Sequence, residues 1–260
     1  MSLDIVVCVK TNPDAQMIRI KNREPVLEAI PYKVGDLEKN ALEAALQLRD
    51  AAGGGTIRAL TVVEGDRKIR ETIKEALAMG ADEAVIVADP ALAGADQAGI
   101  AAALAAAAAK IGACDVLLFG EGSTDNYSGQ VGARVAELLG WPQIGYAKKL
   151  ALAAGGIEAE RSMDEMIETL AAPLPVAVTV VSEINEPRPT SLMNILKAGK
   201  KPVTEWALAD LGLDAVGAQK RIVSNLAEEQ DRKHVLFDGA VDEQVDAFVN
   251  ALVKEGVVGR

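Results

Sequence analysis

Residues 116–130 read Val-Leu-Leu-Phe-Gly-Glu-Gly-Ser-Thr-Asp-Asn-Tyr-Ser-Gly-Gln. The first four residues form a continuous apolar run, which is typical of a strand buried on both faces of a parallel sheet. A polar loop follows and leads into a helical pattern whose apolar face is Val131, Val135, Leu138 and Leu139. The segment therefore predicts a strand, a loop and a helix that meet at one end of a sheet.

Three apolar runs upstream of this segment predict further buried strands. They lie at 5–9, 57–63 and 84–87, and patterns with a helical period separate them. The predicted helices lie at 37–48, 69–77 and 94–111. Strands that alternate with helices in this way predict a doubly wound α/β fold with a mostly parallel, Rossmann-like sheet.

The pattern changes from about Ile144 onward. Short strands at 156–160, 166–170 and 176–181 either extend the same sheet or form an edge hairpin. The last part of the chain is rich in proline and charge, and it ends in an amphipathic helix that carries Val245, Phe248, Val249 and Leu252. We therefore predict an α/β domain at 1–183 and an extended arm with a docking helix at 184–260.

The composition of the 260 residues argues against several classes of protein. A formal net charge of -11 repels phosphate backbones, so nucleic acid is not an expected ligand. The sequence shows neither an apolar stretch long enough to span a bilayer nor a signal peptide, so we expect a cytoplasmic or mitochondrial-matrix-like protein. Cys8 and Cys114 lie in apolar runs without CxxC spacing, and His234 is the only histidine. These facts argue against zinc and histidine-dependent hydrolytic chemistry.

A candidate ligand site lies beyond the carboxyl ends of the predicted strands, where open α/β sheets bind their ligands. Two loops lie there, namely Val9-Lys10-Thr11-Asn12 after the first strand and the loop from Gly120 to Gly132. Small residues in the second loop allow backbone amides to approach a phosphate closely. We expect the two loops to hold a mononucleotide. Asp125 would accept a hydrogen bond from a ribose hydroxyl or cap the following helix, and Gln130 would contact the phosphate or the base.

The same loop has a second interpretation without a ligand. In it, Ser123, Thr124 and Asp125 are ordinary turn residues and Ser128 is a helix N-cap. The best known nucleotide motifs do not decide between the two, because no GxxxxGK[ST] is present and Gly120-x-Gly122 continues to Asp125 where the dinucleotide motif has glycine. A P-loop NTPase and a GxGxxG dehydrogenase are both disfavoured.

The stretch Asn185-Glu186-Pro187-Arg188 and its continuation to Lys201 is a second candidate site. Thr190 or Ser191 can cap a short helix that carries Leu192, Ile195 and Leu196 on one side, with lysines at its end. One interpretation is a surface helix whose apolar residues pack on their own domain. The other is a protruding peptide whose Leu192 enters a partner's pocket while the lysines steer toward acidic groups.

At these residues the sequence resembles the beta subunit of electron transfer flavoproteins. The stretch from Asn185 to Lys201 is similar to that family's signature, and the resemblance extends over essentially the whole chain. Further matches are Ile5 to Lys10, Ala41 to Ala45, Glu71 to Asp82, Ser123 to Gly132, and Trp141 to Gln143. The resemblance implies a subunit that is not an enzyme alone. It would pair with an alpha subunit that holds most of an FAD, and the arm at 184–260 would pack on that subunit.

The resemblance also implies cofactors, partners and site residues. Electrons would come from flavin dehydrogenases such as acyl-CoA dehydrogenases and pass to a quinone oxidoreductase or another acceptor, and this chain would bury an AMP. The expected nucleotide-binding residues are Cys8, Val9, Lys10, Val63, Gly120, Ser123, Thr124, Asp125, Ser128, Gly129, Gln130, Val131 and Gly132. The expected partner-recognition residues are Pro187, Arg188, Leu192, Ile195, Lys197 and Lys200.

The chain departs from this family's pattern at three places. Gly35-Asp36 stands where Asn-Pro is usual, and Ser162 follows Arg161 where an acid is common. Electron-bifurcating members, which hold a second FAD in place of AMP, tend to read Asp-Gly-Asp-Thr-x-Gln where this chain has Asp125 to Gln130. The loop and the retained Asn185 to Arg188 string favour AMP. A bifurcating subunit with a second FAD stays open, and so does a stand-alone adenine-nucleotide sensor of the stress-protein kind.

Overall fold

The computed structural model describes residues 2–65, 67–228 and 233–259, with the side chains of 67–70 left out. The chain divides into a first compact unit, Met1–Arg19 with Val26–Ser224, and a second, Ile20–Pro25 with Asn225–Arg260. This division rests on contacts within the chain. The predicted boundary at residue 183, between an α/β domain and an extended C-terminal arm, stays a prediction.

The secondary structure alternates strands and helices in the first part of the chain. The strands are β1 (Ile5–Cys8), β2 (Thr11–Pro13), β3 (Arg19–Lys21), β4 (Glu24–Val26), β5 (Tyr32–Val34), β6 (Ile57–Val63), β7 (Glu83–Ala88), β8 (Val116–Gly120), β9 (Gln143–Ala153), β10 (Gly156–Ser162), β11 (Ile167–Pro173), β12 (Val176–Val180) and β13 (Val203–Trp206). The α-helices are α1 (Asp36–Ala52), α2 (Arg67–Met79), α3 (Gln97–Ile111), α4 (Val131–Leu139), α5 (Leu192–Ala198) and α6 (Val241–Lys254).

The first unit is built on one large sheet. Among the described residues it has nine strands in the order β11-β10-β9-β12-β8-β1-β6-β7-β13. The neighbours from β9 to β13 are parallel, and β10 runs antiparallel to both β9 and β11. The predicted doubly wound, mostly parallel α/β fold is therefore confirmed.

Helices cover both faces of this sheet, because the central strands are apolar on both sides. In β1, Ile5 and Val7 belong to the core that includes residues of α1 and α2, whereas Val6 and Cys8 belong to the core that includes residues of α3 and α4. Successive side chains of a strand point to opposite faces, so one continuous apolar run supplies two cores.

The region after residue 143 differs in part from the sequence prediction. The strands β9, β10 and β11 extend the sheet as an antiparallel edge, whereas β12 lies between β9 and β8 with every residue buried. The strands β9 and β13 were not predicted. In β9 most residues after Ala147 are at least partly exposed, and in β13 none is buried, so neither strand shows the apolar run that identified the others.

The connections between the central strands create a switch in direction. From β1 the chain passes through α1 to β6 on one side, and it later returns to β8 on the other side of β1. Crossovers that leave in opposite directions open a crevice outside the carboxyl ends of the two strands. The fold therefore places its crevice at the ends of β1 and β8.

The second unit contains the predicted terminal helix. The strands β3 and β4 form a small two-stranded sheet, and Arg23 exchanges hydrogen bonds with the backbone of Ala227. In the following segment, Phe237 packs edge-on against Phe248 of α6, and Lys233 pairs with Glu255 at 2.7 Å. The apolar side chains Val245, Phe248 and Val249 of α6 are about half exposed.

None of the helices in the described ranges combines the length with the apolar character that crossing a bilayer requires. The cytoplasmic or matrix-like location stays a prediction. Cys8 and Cys114 are both free thiols and both buried, as their apolar surroundings predicted.

Candidate functional site

A cavity of about 280 Å³ lies at the carboxyl ends of β1 and β8. Its walls come from the end of β1, the loop after β8, the start of α4, one side of α3, and single residues of α1 and β6. The lining residues are Cys8, Val9, Lys10, Glu38, Val62, Ala95, Asp96, Gln97, Ile100, Leu104, Phe119, Gly120, Glu121, Gly122, Ser123, Asn126, Ser128, Gly129, Gln130, Val131 and Gly132.

The start of α4 presents free backbone donors to the cavity. Its N-cap is Gln130, whose side chain makes no capping hydrogen bond, because the Gln130 amide oxygen instead accepts from Arg134. The N-terminus of α3 differs, since Asp96 accepts from the amides of Ala98 and Gly99. The unpaired amides and the positive end of the dipole at α4 suit an anion. The interpretations of Ser128 as an N-cap, and of Asp125 as the cap of this helix, are wrong.

Gly132 allows α4 to approach the sheet closely. A Cβ at this position would lie 2.5 Å from Cγ2 of Thr179 on β12 and 3.4 Å from the ring of Phe119. Such a contact would push the first turn of α4 away from the strands. The glycine therefore fixes how near the helix N-terminus lies to the cavity.

A cluster of polar side chains ties the two loops together. Lys10 Nζ donates to both carboxylate oxygens of Asp125 at 2.7 Å, and the Ser123 hydroxyl donates to Asp125 at 2.6 Å. Asn12 donates to the Thr124 hydroxyl at 3.0 Å. Partial burial raises the pKa of Asp125, but the hydrogen bonds from Lys10 and Ser123 outweigh burial and lower the pKa overall. The cluster holds the loop after β8 against the loop after β1.

The remaining lining is largely apolar. Val62 of β6 and Ala95, Ile100 and Leu104 on the side of α3 supply aliphatic surface. A pocket that combines such a wall with a few convergent polar groups is the usual form of a small-molecule site. The aliphatic wall suits the flat face of a base, and the amides of α4 suit a phosphate.

Glu38 also lines the cavity, and the sequence did not single it out. The residue is 4% exposed, and its Oε2 finds no hydrogen-bond partner among the described residues. Burial raises the pKa of Glu38 to about 7, although backbone amides of Glu38 and Lys10 and the charge of Lys10 lower it in part. One acid in the first turn of a helix is a common surface pattern, so the sequence carries no sign of this burial.

Most of the predicted nucleotide-binding residues line the cavity, and three do not. Val63 points into the opposite core, because it is adjacent to the lining residue Val62 on β6. Thr124 and Asp125 are exposed and do not line the cavity, although Asn12 and Lys10 donate hydrogen bonds to them. Asp125 has both oxygens bonded to Lys10, so a ribose hydroxyl would have to compete with an ion pair.

Cys8 lines the cavity as a buried thiol. Burial raises its pKa well above the ordinary value, and the neighbouring Cys114 raises it further. A thiol in this state is neutral and a poor nucleophile. Cys8 therefore contributes to the shape of the cavity.

The predicted partner-recognition segment lies apart from the cavity. Ser191 caps α5 by accepting from the Asn194 amide, and the apolar side chains of the helix face outward. Leu192 is 73% exposed and Leu196 63%, and Met193 and Ile195 are also exposed. The interpretation in which these residues pack on their own domain is therefore wrong. Lys197 and Lys200 are exposed as well.

Arg188 anchors this segment to α1. Its guanidinium makes two parallel hydrogen bonds to Glu43, at 2.7 and 2.9 Å, and its backbone amide adds a third at 3.2 Å. Nearby, the amide of Asn40 donates to the Asn185 backbone, and Asn185 donates back to the Asn40 carbonyl. These bonds fix the start of the segment, and at its other end Ala198 of α5 is buried in the core and Lys201 donates to the carbonyls of Leu77 and Ala81.

Within the described ranges, no group of three or more histidine, cysteine, aspartate or glutamate residues is arranged to hold a metal ion. In a comparison with protein families, the family model of the electron transfer flavoprotein domain matches residues 26–211. The match covers α1 to β13 and therefore most of the sheet, the loop after β8 and the segment around α5.

Proposed function

This chain belongs to the electron transfer flavoprotein domain family, and we propose that it is the beta-type subunit of a heterodimeric electron carrier. In this proposal it holds an AMP in the cavity between β1 and β8. The partner subunit of alpha type holds most of an FAD. Electrons enter that flavin from flavin dehydrogenases, such as acyl-CoA dehydrogenases, and leave for a quinone oxidoreductase or another acceptor.

The observation that carries the proposal is the cavity at the switch between β1 and β8. It combines an open helix N-terminus, a loop of small residues and an aliphatic wall, which match the phosphate and the base of a nucleotide. The hydrogen bonds between Lys10 and Asp125 hold the loop after β8 against the loop after β1, beside the cavity. All the lining residues of the cavity lie in the first compact unit of this chain.

The volume favours AMP over FAD. About 280 Å³ lies just below the usual range for small-molecule sites, which is roughly 300–1,000 Å³. FAD contains an AMP half, a second phosphate and ribityl half, and a flavin of three fused rings. A site of this size suits the AMP half, so we assign the flavin to the partner subunit.

The exposed face of α5 supports contact with other proteins. Four large apolar side chains, Leu192, Met193, Ile195 and Leu196, lie on a helix of seven residues and are all more than half exposed. Clustered apolar side chains of this kind with basic residues nearby mark a protein interaction site. We propose that Leu192 enters a pocket on the electron-donating dehydrogenase.

Nucleotide counting tests the proposal. The chain is produced together with an alpha-type protein of the same family, the purified complex is extracted with acid, and AMP and FAD are quantified per protein. The expected result is a yellow 1:1 heterodimer with one AMP and one FAD.

Other results would favour the alternatives. Two FAD and no AMP would assign the chain to the bifurcating type and overturn the AMP site. A colourless homodimer whose nucleotide exchanges freely would favour the stand-alone sensor. Production of the chain without the alpha-type protein serves as the control for the origin of the yellow colour.

A further inference from the structure

Glu38 is a buried carboxyl in a cavity that is built for an anion. It lies in the first turn of α1, lines the cavity and leaves Oε2 without a hydrogen-bond partner in the described part of the chain. The chain makes room for it at Gly35, where a Cβ would lie 1.9 Å from Oε2. Any larger residue at position 35 would displace the carboxyl.

The charges around Glu38 do not pair with it. On the side of β1, the Lys10 ammonium is bonded to Asp125 and lies 3.4 Å from the Ser123 hydroxyl. Asp125, Glu121 and Asp96 contribute further negative charge from the loop after β8 and from the start of α3. On α1 itself, Lys39 pairs with Glu75 of α2 at 2.9 Å.

Burial therefore dominates the titration of Glu38. Burial and, to a smaller extent, the charge of Asp125 raise the pKa, while backbone amides of Glu38 and Lys10 and the charge of Lys10 lower it, and the net pKa is about 7. A phosphate carries roughly 1.5 to 2 negative charges at neutral pH. Its arrival in the same cavity places a like charge near a buried carboxylate and favours the protonated form.

We infer that Glu38 couples nucleotide binding to the uptake of one proton. This inference rests on the proposed nucleotide site and adds a condition to it. The nucleotide phosphate enters when the Glu38 carboxyl is neutral, and the proton comes from solvent. The neutral carboxyl removes the repulsion and offers one O–H donor to the ligand.

The coupling predicts that the affinity for AMP depends on pH through the titration of Glu38. If the ionised form excludes the phosphate, AMP binds about tenfold more weakly at pH 8 than at pH 6. The E38Q variant carries a neutral side chain of the same length, so its AMP affinity varies only with the titration of AMP itself. Adenosine, which lacks the phosphate, shows no such dependence with either protein.

The experiment uses the nucleotide-stripped full chain in complex with its partner. AMP and adenosine affinities are measured by calorimetry from pH 6 to 8 for the wild type, for E38Q and for the control E158Q, which changes an exposed acid on β10. Buffers of different ionisation enthalpy report the proton uptake directly. We expect close to one proton per AMP at pH 8 for the wild type and E158Q, and less for E38Q.

The outcomes separate the two proposals. AMP binding with the same pH dependence in the wild type and E38Q, and with equal proton uptake, overturns the coupling and keeps the site. The absence of AMP binding by the wild type at every pH overturns the site itself. If E38Q does not fold, the proton uptake of the wild type decides alone, and a value near zero at pH 8 refutes the inference.

Discussion

Replacement of Arg188 by alanine tests whether this residue anchors the partner-recognition segment to α1. The guanidinium makes a bidentate pair with Glu43, whose side chain is only 6% exposed. The substitution leaves Glu43 with the Gln47 amide as its remaining side-chain donor, at 3.1 Å. Resistance to unfolding should therefore fall, although the residue lies outside the sheet and the cavity.

The magnitude follows from the burial of the two partners. Removal of one partner of a buried ion pair costs about 3–5 kcal/mol. Arg188 is 46% exposed, and water weakens its interaction, so we expect a loss of about 2–3 kcal/mol in the free energy of unfolding. Burial raises the pKa of Glu43, but the Arg188 hydrogen bonds outweigh burial and lower it. The stabilisation is therefore present above the ordinary carboxyl pKa of 4.5, and it is lost as the pH falls through the lower pKa of the folded state.

Urea unfolding of the heterodimer at fixed protein concentration measures the loss, since association contributes to stability. The wild type, R188A, E43Q and the double variant form a cycle that isolates the pair. A coupling energy above about 1 kcal/mol supports an anchor. A change below about 0.5 kcal/mol in R188A, with a clear loss of dehydrogenase binding, would instead assign Arg188 to direct partner recognition.

Three further substitutions test other parts of the molecule. Leu192→Ala should leave the fold and the AMP content intact but slow electron transfer from the dehydrogenase about thirtyfold, because an anchor side chain is worth about 2 kcal/mol or more; stopped-flow kinetics checks this, with exposed Val203→Ala as the control. Glu38→Gln should raise the free energy of unfolding by up to about 3 kcal/mol at pH 8 and by little below pH 4.5. The reason is that ionised Glu38 destabilises the wild-type fold increasingly as the pH rises from 4.5 to about 7. Urea titrations at both pH values measure the difference. Gly132→Ala should cost about 1–3 kcal/mol and reduce the AMP retained on purification, because the new Cβ meets Thr179; an unchanged AMP content would show that the position of α4 does not limit binding.

The central fold could be predicted because its strands are apolar on both faces. The strands β1, β6, β7 and β8 could be predicted because each lies in a continuous apolar run. By contrast, β9 and β13 lie at or near the edges of the parallel region and carry exposed residues, so their sequences do not differ from those of loops. The prediction therefore missed the two outer strands of the parallel region, whereas β10 and β11 at the antiparallel edge were predicted.

The candidate site divides in the same way. The place of the loop from Gly120 to Gly132 at the cavity could be predicted, since the loop follows the carboxyl end of a buried strand and leads into a helix. The side chain of Val63 faces the opposite core, because successive side chains of a strand alternate, and the nucleotide contact that the resemblance implies for this residue stays a prediction. Glu38 was missed because its burial depends on Gly35 and on loops distant in sequence.

The contact between Lys10 and Asp125 joins positions 115 residues apart. A nucleotide held between these two loops depends on a loop closure that is among the slower steps of folding, since long loops lose more entropy when they close. The nucleotide should therefore bind late in folding, after β8 has aligned beside β1. Release requires the loop after β8 to separate from the loop after β1, so the residence time of the nucleotide should follow the opening of this one contact while the sheet stays folded.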